Sequence, residues 1–211
     1  MIREIVTCEQ GTTDWFAARL GIPTASKFST VMASGKGGGD SKTRRAYMLD
    51  LIAERITGVP METPVTAAMD RGRAMESLAR EAYAANAEFL GAPPPEEVGF
   101  IRIPGVAGAS PDGLVGSAGI IEIKSKKPNL QLECVLADRL PPEHVHQVQG
   151  QLWISEREWC DFISFWPRLP LFTKRIHRDE AFIAELALAV ATFNEELAEL
   201  EATIRSKGTA A

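Results

Sequence analysis

The stretch from Ser110 to Lys124, SPDGLVGSAGIIEIK, constrains the fold more than any other part of the chain. In its last four residues, Ile121, Glu122, Ile123 and Lys124, apolar and charged side chains alternate with the period of two that a β-strand requires. Strand geometry places the glutamate and the lysine on one face and both isoleucines on the other. If the isoleucines face the core, an acid and an amine are presented together on the opposite side.

Asp112 precedes a second short apolar run, which can pair with this strand across a Gly/Ser turn. Pairing Val115 with Ile121 places Asp112 opposite Lys124, on the same face as the glutamate. A tighter turn places Asp112 on the other face unless Gly113 forms a bulge. The sequence alone leaves this register open.

The combination of Asp112, Glu122 and Lys124 predicts phosphodiester hydrolysis assisted by hard metal ions. Carboxylate oxygens hold magnesium and leave positions for water and phosphate, and the metal lowers the pKa of its bound water. The lysine can orient that water or stabilise the phosphate, and the backbone carbonyl of Ile123 is a natural additional ligand. Each part also has a simpler explanation, because Pro-Asp-Gly is a turn signature and Glu-X-Lys is common as an ion pair on an exposed strand.

Hydrophobic periodicity and Gly/Pro punctuation divide the rest of the chain into helices and strands. Helices are predicted over residues 13–20, 25–33, 41–57, 66–87, 129–137, 142–155 and 179–205. Strands are predicted over residues 98–103, 106–109, 119–125, 159–166 and 172–177. This order indicates an α/β (α+β) fold with a central mixed β-sheet flanked by helices. Residues 1–211 are predicted to form a single domain, with helices at 12–58, a core at about 66–178 and a C-terminal helix at about 179–205.

Two segments outside the sheet carry more specific expectations. Residues 34–40, SGKGGGD, are predicted to form a mobile loop rather than a phosphate cradle, because the Walker pattern is absent. The apolar stripe of the last helix is predicted to pack against the same subunit.

Composition restricts the environment and the partners. No run approaches the roughly 20 apolar residues of a membrane helix, and the N-terminus lacks a signal peptide's apolar segment, so we expect a soluble cytoplasmic protein. The three widely spaced cysteines predict free thiols. The net charge of −5 does not by itself indicate a nucleic-acid binder. Basic clusters at 42–45, 71–73 and 124–127 are compatible with a DNA groove or with solvated faces.

The sequence resembles the PD-(D/E)XK nucleases, with Asp112, Glu122 and Lys124 at the D, D/E and K positions of that motif. More narrowly, it is similar to the lambda-exonuclease-like (YqaJ-type viral recombinase) family, with four further segments matching in order between about Gln10 and Leu169. The resemblance implies a restriction-endonuclease-like core. The last matching segment, which ends in FWPR, supports the alignment more than the mechanism.

The first matching segment is QGTTDW followed by Arg19 and TAS. The resemblance implies that Arg19 and Ser26 bind the 5′ phosphate of a DNA end. A guanidinium and a hydroxyl beside a helix start are chemically suited to a terminal phosphate. The alternatives are a solvent-exposed ion pair for the arginine and a helix cap for the serine.

Two helical segments complete the matching pattern. In RGRAME, the resemblance implies that Glu76 is a third carboxylate near the metals, whereas its local alternative is an ion pair with Arg80 or Arg73. In QVQGQLW, the resemblance implies a site glutamine, with Gln149 as the best match and Gln147 next. A glutamine amide can bind both water and a phosphate oxygen. The alternative is a polar helix face.

The resemblance implies a magnesium-dependent 5′–3′ exonuclease that degrades linear double-stranded DNA to mononucleotides and leaves 3′ single-stranded tails. It further implies two Mg²⁺ ions per site, for which Mn²⁺ can substitute, a homotrimeric ring around DNA, and a single-strand annealing protein as partner in a bacterial or phage-infected cell. A structure- or sequence-specific endonuclease with the same core residues is one alternative. A non-catalytic protein that binds DNA ends is another.

Overall fold

The computed structural model describes residues 2–35, 41–61, 67–89 and 92–208. Most of the predicted Gly-rich loop lies outside these ranges. Positions 71 and 73 lie within them, but the description there is limited to the backbone. The helices are α1 (Thr13–Arg19), α2 (Phe28–Val31), α3 (Lys42–Thr57), α4 (Ala67–Phe89), α5 (Pro128–Ala137), α6 (Val145–Ser155) and α7 (Glu180–Lys207). The strands are β1 (Glu4–Val6), β2 (Phe100–Ile103), β3 (Ala107–Ala109), β4 (Gly113–Val115), β5 (Gly119–Lys124), β6 (Trp159–Ser164) and β7 (Phe172–His177).

The predicted mixed sheet is present and has the strand order β4-β5-β6-β7. Strand β5 runs antiparallel to β4 and parallel to β6, and β6 runs antiparallel to β7. A parallel pair requires a crossover connection. Helices α5 and α6 lie between β5 and β6 in the chain and supply it.

The runs predicted at 98–103 and 106–109 do not join this sheet. They form β2 and β3 of a separate antiparallel sheet, in which β1 pairs with β2. Strand β1 was not predicted, because three mostly exposed residues carry too little alternation to be recognised. The helix predicted at 25–33 is also shorter than expected, since it consists of a 3-10 turn at Ala25–Lys27 followed directly by α2.

Both faces of β5 are covered. Ile121 and Ile123 pack with Ala79 and Tyr83 of α4, so the expectation that these isoleucines face the core is confirmed. On the opposite face, Ile120 packs with residues of α6, among them Val148 and Leu152. The face that carries Glu122 is therefore also an interior surface, between the strand and α6.

Helix α6 approaches the N-terminal segment closely, because position 150 is a glycine. A β-carbon on Gly150 would overlap the ring of Phe28 and would lie 3.4 Å from the β-carbon of Ala25. The missing side chain therefore allows the 3-10 turn that contains Ser26 to pack against α6.

A buried charge network holds α4 against the sheet. The Tyr83 hydroxyl donates a 2.7 Å hydrogen bond to Asp161 of β6, and the Arg175 guanidinium donates two bonds of 2.8 Å to the same carboxylate. Burial, followed by the hydrogen bond to Asp161, raises the pKa of Tyr83. The network fixes the position of the helix that carries Glu76.

The apolar stripe of α7 packs against the same chain, as predicted. Its buried members are Ile183, Leu186, Val190, Phe193 and Leu197. The three cysteines are free thiols, also as predicted. Within the described residues, none of the helices has the length and apolarity needed to cross a membrane.

Candidate active site

The hairpin of β4 and β5 brings Asp112 beside Glu122. Val115 pairs with Gly119, and Gly113 pairs with Ile121, which settles the register that the sequence left open and differs by two residues from a pairing of Val115 with Ile121. Because side chains alternate with a period of two, this even shift keeps Asp112 on the face of Glu122 and Lys124. Asp112, Glu122 and Lys124 line one cavity.

Backbone contacts fix Asp112 at this position. Its N–H donates to the carbonyl of Ile121 at 3.0 Å. The N–H of Ile123 donates to Asp112 Oδ2 at 2.5 Å. The N–H and C=O of one strand residue point to the same edge, so the Ile123 carbonyl also faces the side on which the aspartate lies.

Three donors converge on the Glu122 carboxylate, which is 2% exposed. Gln147 Nε2 and Lys124 Nζ lie 2.6 Å and 2.5 Å from Oε1. Gln151 Nε2 lies 2.6 Å from Oε2. A buried carboxylate requires such charge-assisted hydrogen bonds to offset its lost hydration.

The pKa values reflect two carboxylates that share a buried volume. Burial, followed by repulsion from Glu122, raises the pKa of Asp112 well above its usual range. Burial alone lowers the pKa of Lys124, but the attraction of Glu122 and Asp112 outweighs it and leaves that pKa raised. The site is therefore electrostatically suited to a cation, and the ammonium supplies only one positive charge.

The expectation that Gln149 is the site glutamine is wrong, because its side chain points away from the carboxylates. Its amide nitrogen donates to the carbonyl of His177 at 2.9 Å, and its oxygen accepts from the N–H of Asp179 at 2.9 Å. These contacts connect α6 to the start of α7. Gln147 instead faces the site, and Gln151 does so unexpectedly.

Glu76 lies at the border of the group and is bound by Arg80, as its local alternative predicted. Arg80 Nη2 lies 2.6 Å from Glu76 Oε1, and Arg80 Nε donates to the carbonyl of Asp112 at 3.2 Å. Burial raises the pKa of Glu76, attraction by Arg80 opposes this, and repulsion from Glu122 adds to it. Glu76 thus interacts electrostatically with the site while its hydrogen bond goes to the arginine.

Arg19 and Ser26, predicted from the N-terminal segment, lie in the same cavity as the carboxylates. This cavity has a volume of about 160 Å³, and its lining includes Arg19, Ser26, Asp112, Glu122, Lys124 and Gln147. Residues separated by more than 100 positions in sequence therefore form one site. Glu76 lies outside the lining.

The Arg19 side chain is held by an aromatic stack. Its guanidinium carbon lies 3.7 Å from the centroid of the Trp15 ring, and burial lowers the pKa of the arginine. Arg19 makes no ion pair with any residue in the described ranges. Its planar donors therefore remain available to an anion in the cavity.

Ser26 is exposed in the 3-10 turn, where its hydroxyl lies 3.3 Å from that of Thr24. Thr24 is the N-cap residue of this turn, so Ser26 does not act as the helix cap that was its alternative explanation. Ser26 lines the cavity, where its hydroxyl can exchange the contact with Thr24 for one with a bound anion.

The donor set fits a hard divalent cation. Among the described residues, no group of three or more His, Cys, Asp or Glu side chains is arranged to hold a metal ion. Magnesium, however, is commonly bound by one or two carboxylates together with waters and substrate phosphates. Asp112, Glu122 and the Ile123 carbonyl satisfy that requirement without a third acid.

Comparisons with known proteins agree with this architecture. Residues 14–158 match the model of the YqaJ-like viral recombinase domain. The crystal structure of an alkaline exonuclease (LHK-Exo) from Laribacter hongkongensis is similar with a TM-score of 0.82 and 39% identity, covering 93% of this chain and 97% of that one. LHK-Exo in complex with dAMP gives the same values. No curated protein sequence matches the chain.

A more distant structure shares the fold. It is a phage-related exonuclease from Haemophilus somnus 129PT, with a TM-score of 0.64 and 14% identity, covering 87% of this chain and 96% of that one.

Proposed function

Because the chain belongs to the YqaJ-like viral recombinase family, we propose that it is a magnesium-dependent 5′–3′ exonuclease acting on linear double-stranded DNA. It releases mononucleotides and leaves 3′ single-stranded tails for recombination by strand annealing. The observation that carries the proposal is the shared cavity, in which Arg19 and Ser26 lie together with Asp112, Glu122 and Lys124.

The metal ligands in this proposal are Asp112, Glu122 and the backbone carbonyl of Ile123, with Glu76 available if Arg80 releases it. Bound Mg²⁺, or Mn²⁺ in its place, acts as a Lewis acid and lowers the pKa of a bound water. The raised pKa of Asp112 supports this assignment, because a cation relieves the repulsion that the two carboxylates impose on each other.

Lys124 and Gln147 act on the water and the scissile phosphate. The Lys124 ammonium lies 2.5 Å from Glu122 and is anchored by it, so its remaining protons can be directed toward a phosphate oxygen. The Gln147 amide donates to Glu122 through its nitrogen, which leaves its carbonyl oxygen to accept a hydrogen bond from water.

Arg19 and Ser26 bind the 5′ phosphate and thereby set polarity. The planar guanidinium lies over the Trp15 ring and can donate two hydrogen bonds to one phosphate. A terminal phosphate held there places the adjacent phosphodiester toward the carboxylates. The dAMP complex of the related LHK-Exo is in line with a mononucleotide as product.

Assembly and partners are part of the same proposal. We infer a homotrimeric ring that encloses DNA and a single-strand annealing protein that receives the 3′ strand, both from the family resemblance. DNA ends are the substrate that these features require.

The decisive experiment is digestion of one linear duplex with separate labels on its two strands, with and without a 5′ phosphate. Reactions in Mg²⁺ are compared with reactions in EDTA, and closed circular DNA and the Asp112→Asn variant serve as controls. Products are separated so that mononucleotides are distinguished from longer fragments.

We expect Mg²⁺-dependent release of mononucleotides from the phosphorylated 5′ strand, no cutting of circular DNA and no activity in the variant. Internal cuts or nicked circles would assign the protein to the endonucleases instead. DNA binding without cleavage in Mg²⁺ would indicate a non-catalytic DNA-end-binding protein.

A further inference from the structure

Gln151 is a buried polar residue in the wall of the same cavity, where it contacts the Glu122 carboxylate. It is 1% exposed, and its amide nitrogen donates a 2.6 Å hydrogen bond to Glu122 Oε2. The side-chain oxygen of Gln151 is buried and has no hydrogen-bond partner among the described residues. The amide is therefore oriented by the carboxylate alone.

The other two contacts of Glu122 differ from this one in location. Lys124 and Gln147 both bind Oε1, and both are more exposed than Gln151. Oε1 is thus contacted by the two more exposed donors, whereas Oε2 is contacted by the most deeply buried one. The more exposed donors can exchange their contacts for water or phosphate more readily than Gln151, which lines the cavity but is almost fully buried.

A glutamate carboxylate rotates freely unless it is held, because its terminal torsion is broad and has no sharp staggered minima. Glu122 reaches the cavity from a buried strand, and its direction depends on the groups that fix this rotation. Gln151 is the donor placed to do so when the cavity contacts are exchanged for a metal.

We propose that Gln151 is a positioning residue, which holds Oε2 of Glu122 so that Oε1 is presented to the metal. The inference rests on the proposed metal-dependent function and assigns no direct contact between Gln151 and DNA or metal. Mutation of a residue that orients a metal ligand in this way typically lowers metal affinity or activity about 10- to 100-fold.

Gln149 provides a matched control on the same helix. It is the same residue type, it is 4% exposed, and its amide makes two hydrogen bonds, but these go to the backbone of His177 and Asp179. Loss of its amide removes buried hydrogen bonds without touching Glu122.

The test compares Gln151→Met and Gln149→Met, which preserve side-chain length and remove the amide. Binding of Mn²⁺ alone is measured from the loss of the free-ion electron paramagnetic resonance signal. Thermal unfolding in EDTA, DNA binding in EDTA, and kcat and KM for duplex digestion are measured in parallel. Gln151→Asn, which keeps an amide too short to reach the carboxylate, replaces the methionine variant if that variant does not fold.

We expect Gln151→Met to weaken Mn²⁺ binding about 10- to 100-fold and to lower kcat, with KM and DNA binding within twofold of wild type. Gln149→Met should reduce the unfolding temperature and leave Mn²⁺ affinity unchanged. Equal Mn²⁺ affinity in wild type and the folded Gln151 variant would overturn the inference while leaving the proposed function intact. A wild-type protein that binds no Mn²⁺ would overturn both.

Discussion

The indole N–H of Trp15 donates a 2.8 Å hydrogen bond to the Ser110 hydroxyl. This contact joins α1, which carries Arg19, to the loop that leads into Asp112. The same indole ring supports the Arg19 guanidinium at 3.7 Å. The residues proposed to bind a 5′ phosphate and those proposed to bind a metal are therefore held at a fixed separation before any substrate arrives.

Asp112→Asn should remove activity and at the same time stabilise the metal-free protein. Burial and repulsion from Glu122 raise the pKa of Asp112, so its ionised form is costly in the folded state and a neutral amide relieves that cost. We expect a higher unfolding temperature than wild type in EDTA at pH 8. The rate of Mg²⁺-dependent digestion should fall at least about 100-fold, since a metal site supplies several kcal/mol of charge stabilisation.

Mg²⁺ should raise the unfolding temperature of wild type and leave that of Asp112→Asn unchanged, because only a ligand that binds the folded state stabilises it. Asp50→Asn, at an exposed acid on α3, should behave as wild type. An Asp112→Asn protein that is stabilised by Mg²⁺ as strongly as wild type would remove Asp112 from the metal site.

Arg19→Lys should reduce the preference for a 5′-phosphorylated end. Lysine keeps the charge but loses the planar group that stacks on Trp15 and donates two parallel bonds. Hydrogen bonds to charged groups contribute about 1.5–3 kcal/mol, so the preference should fall about tenfold or more. Competition between phosphorylated and hydroxyl-ended duplexes measures it.

Arg205→Lys, on the last turn of α7, is the matched substitution outside the cavity and should retain the preference. If Arg19→Lys prefers phosphorylated over hydroxyl-ended duplexes as strongly as wild type does, the 5′ phosphate is bound elsewhere.

His144 should make the protein less stable in weak acid. Burial, followed by repulsion from Lys126 and Lys124, lowers the pKa of His144 to about 4. The unfolded chain takes up this proton near its ordinary pKa of about 6.5, so stability decreases as pH falls from about 6.5 to about 4. The loss is at most about 3 kcal/mol over this range.

Urea unfolding of wild type and His144→Phe at pH 7.5 and pH 4.5 measures this contribution. The imidazole stacks on Phe162 with ring centroids 5.1 Å apart, so phenylalanine preserves the ring contact. The variant should lose less stability than wild type between the two pH values. An identical pH dependence in both proteins would assign the acid sensitivity to other groups.

Gly150→Ala should destabilise the protein and reduce activity. The added β-carbon overlaps the Phe28 ring, and overpacking of this kind costs about 1–3 kcal/mol. The displaced segment includes the turn that carries Ser26. Gly72→Ala is the control, because a β-carbon at position 72 of α4 meets no atom within 4 Å and should be neutral or stabilising by about 1 kcal/mol.

Partial recovery in the double variant Gly150→Ala, Phe28→Leu would locate the strain at this contact, since neighbouring substitutions are not additive. Denaturant midpoints measure it. A Gly150→Ala protein as stable as wild type would show that the two segments can separate without cost.

Alternation in the sequence was sufficient to predict the strand that presents Glu122 and Lys124, because a period of two is a local property. It was insufficient for the register of Asp112, which depends on the length of the turn. The observed pairing of Val115 with Gly119 differs by two residues from a pairing of Val115 with Ile121, and an even shift of this kind keeps the side chains on the same face.

The glutamine assignment failed for a reason visible in the helix geometry. Successive helical residues turn by about 100°, so positions 147 and 151 share a face and position 149 points nearly opposite. The i,i+4 spacing of Gln147 and Gln151 was the available signal. The partners of Asp161, in contrast, come from other elements, and no local pattern in the sequence identifies them.

The contact between Gly150 and Phe28 also sets when the cavity can exist during synthesis. A second long-range contact, from the Gln10 amide to the carbonyl of Pro111, spans a similar distance along the chain. The N-terminal wall of the site must therefore wait until α6 has left the ribosome before it has a surface to pack against. A nascent chain that ends before α6 has the acids but lacks Gln147 and Gln151 of the cavity wall, so the cavity can close only after α6 has been made.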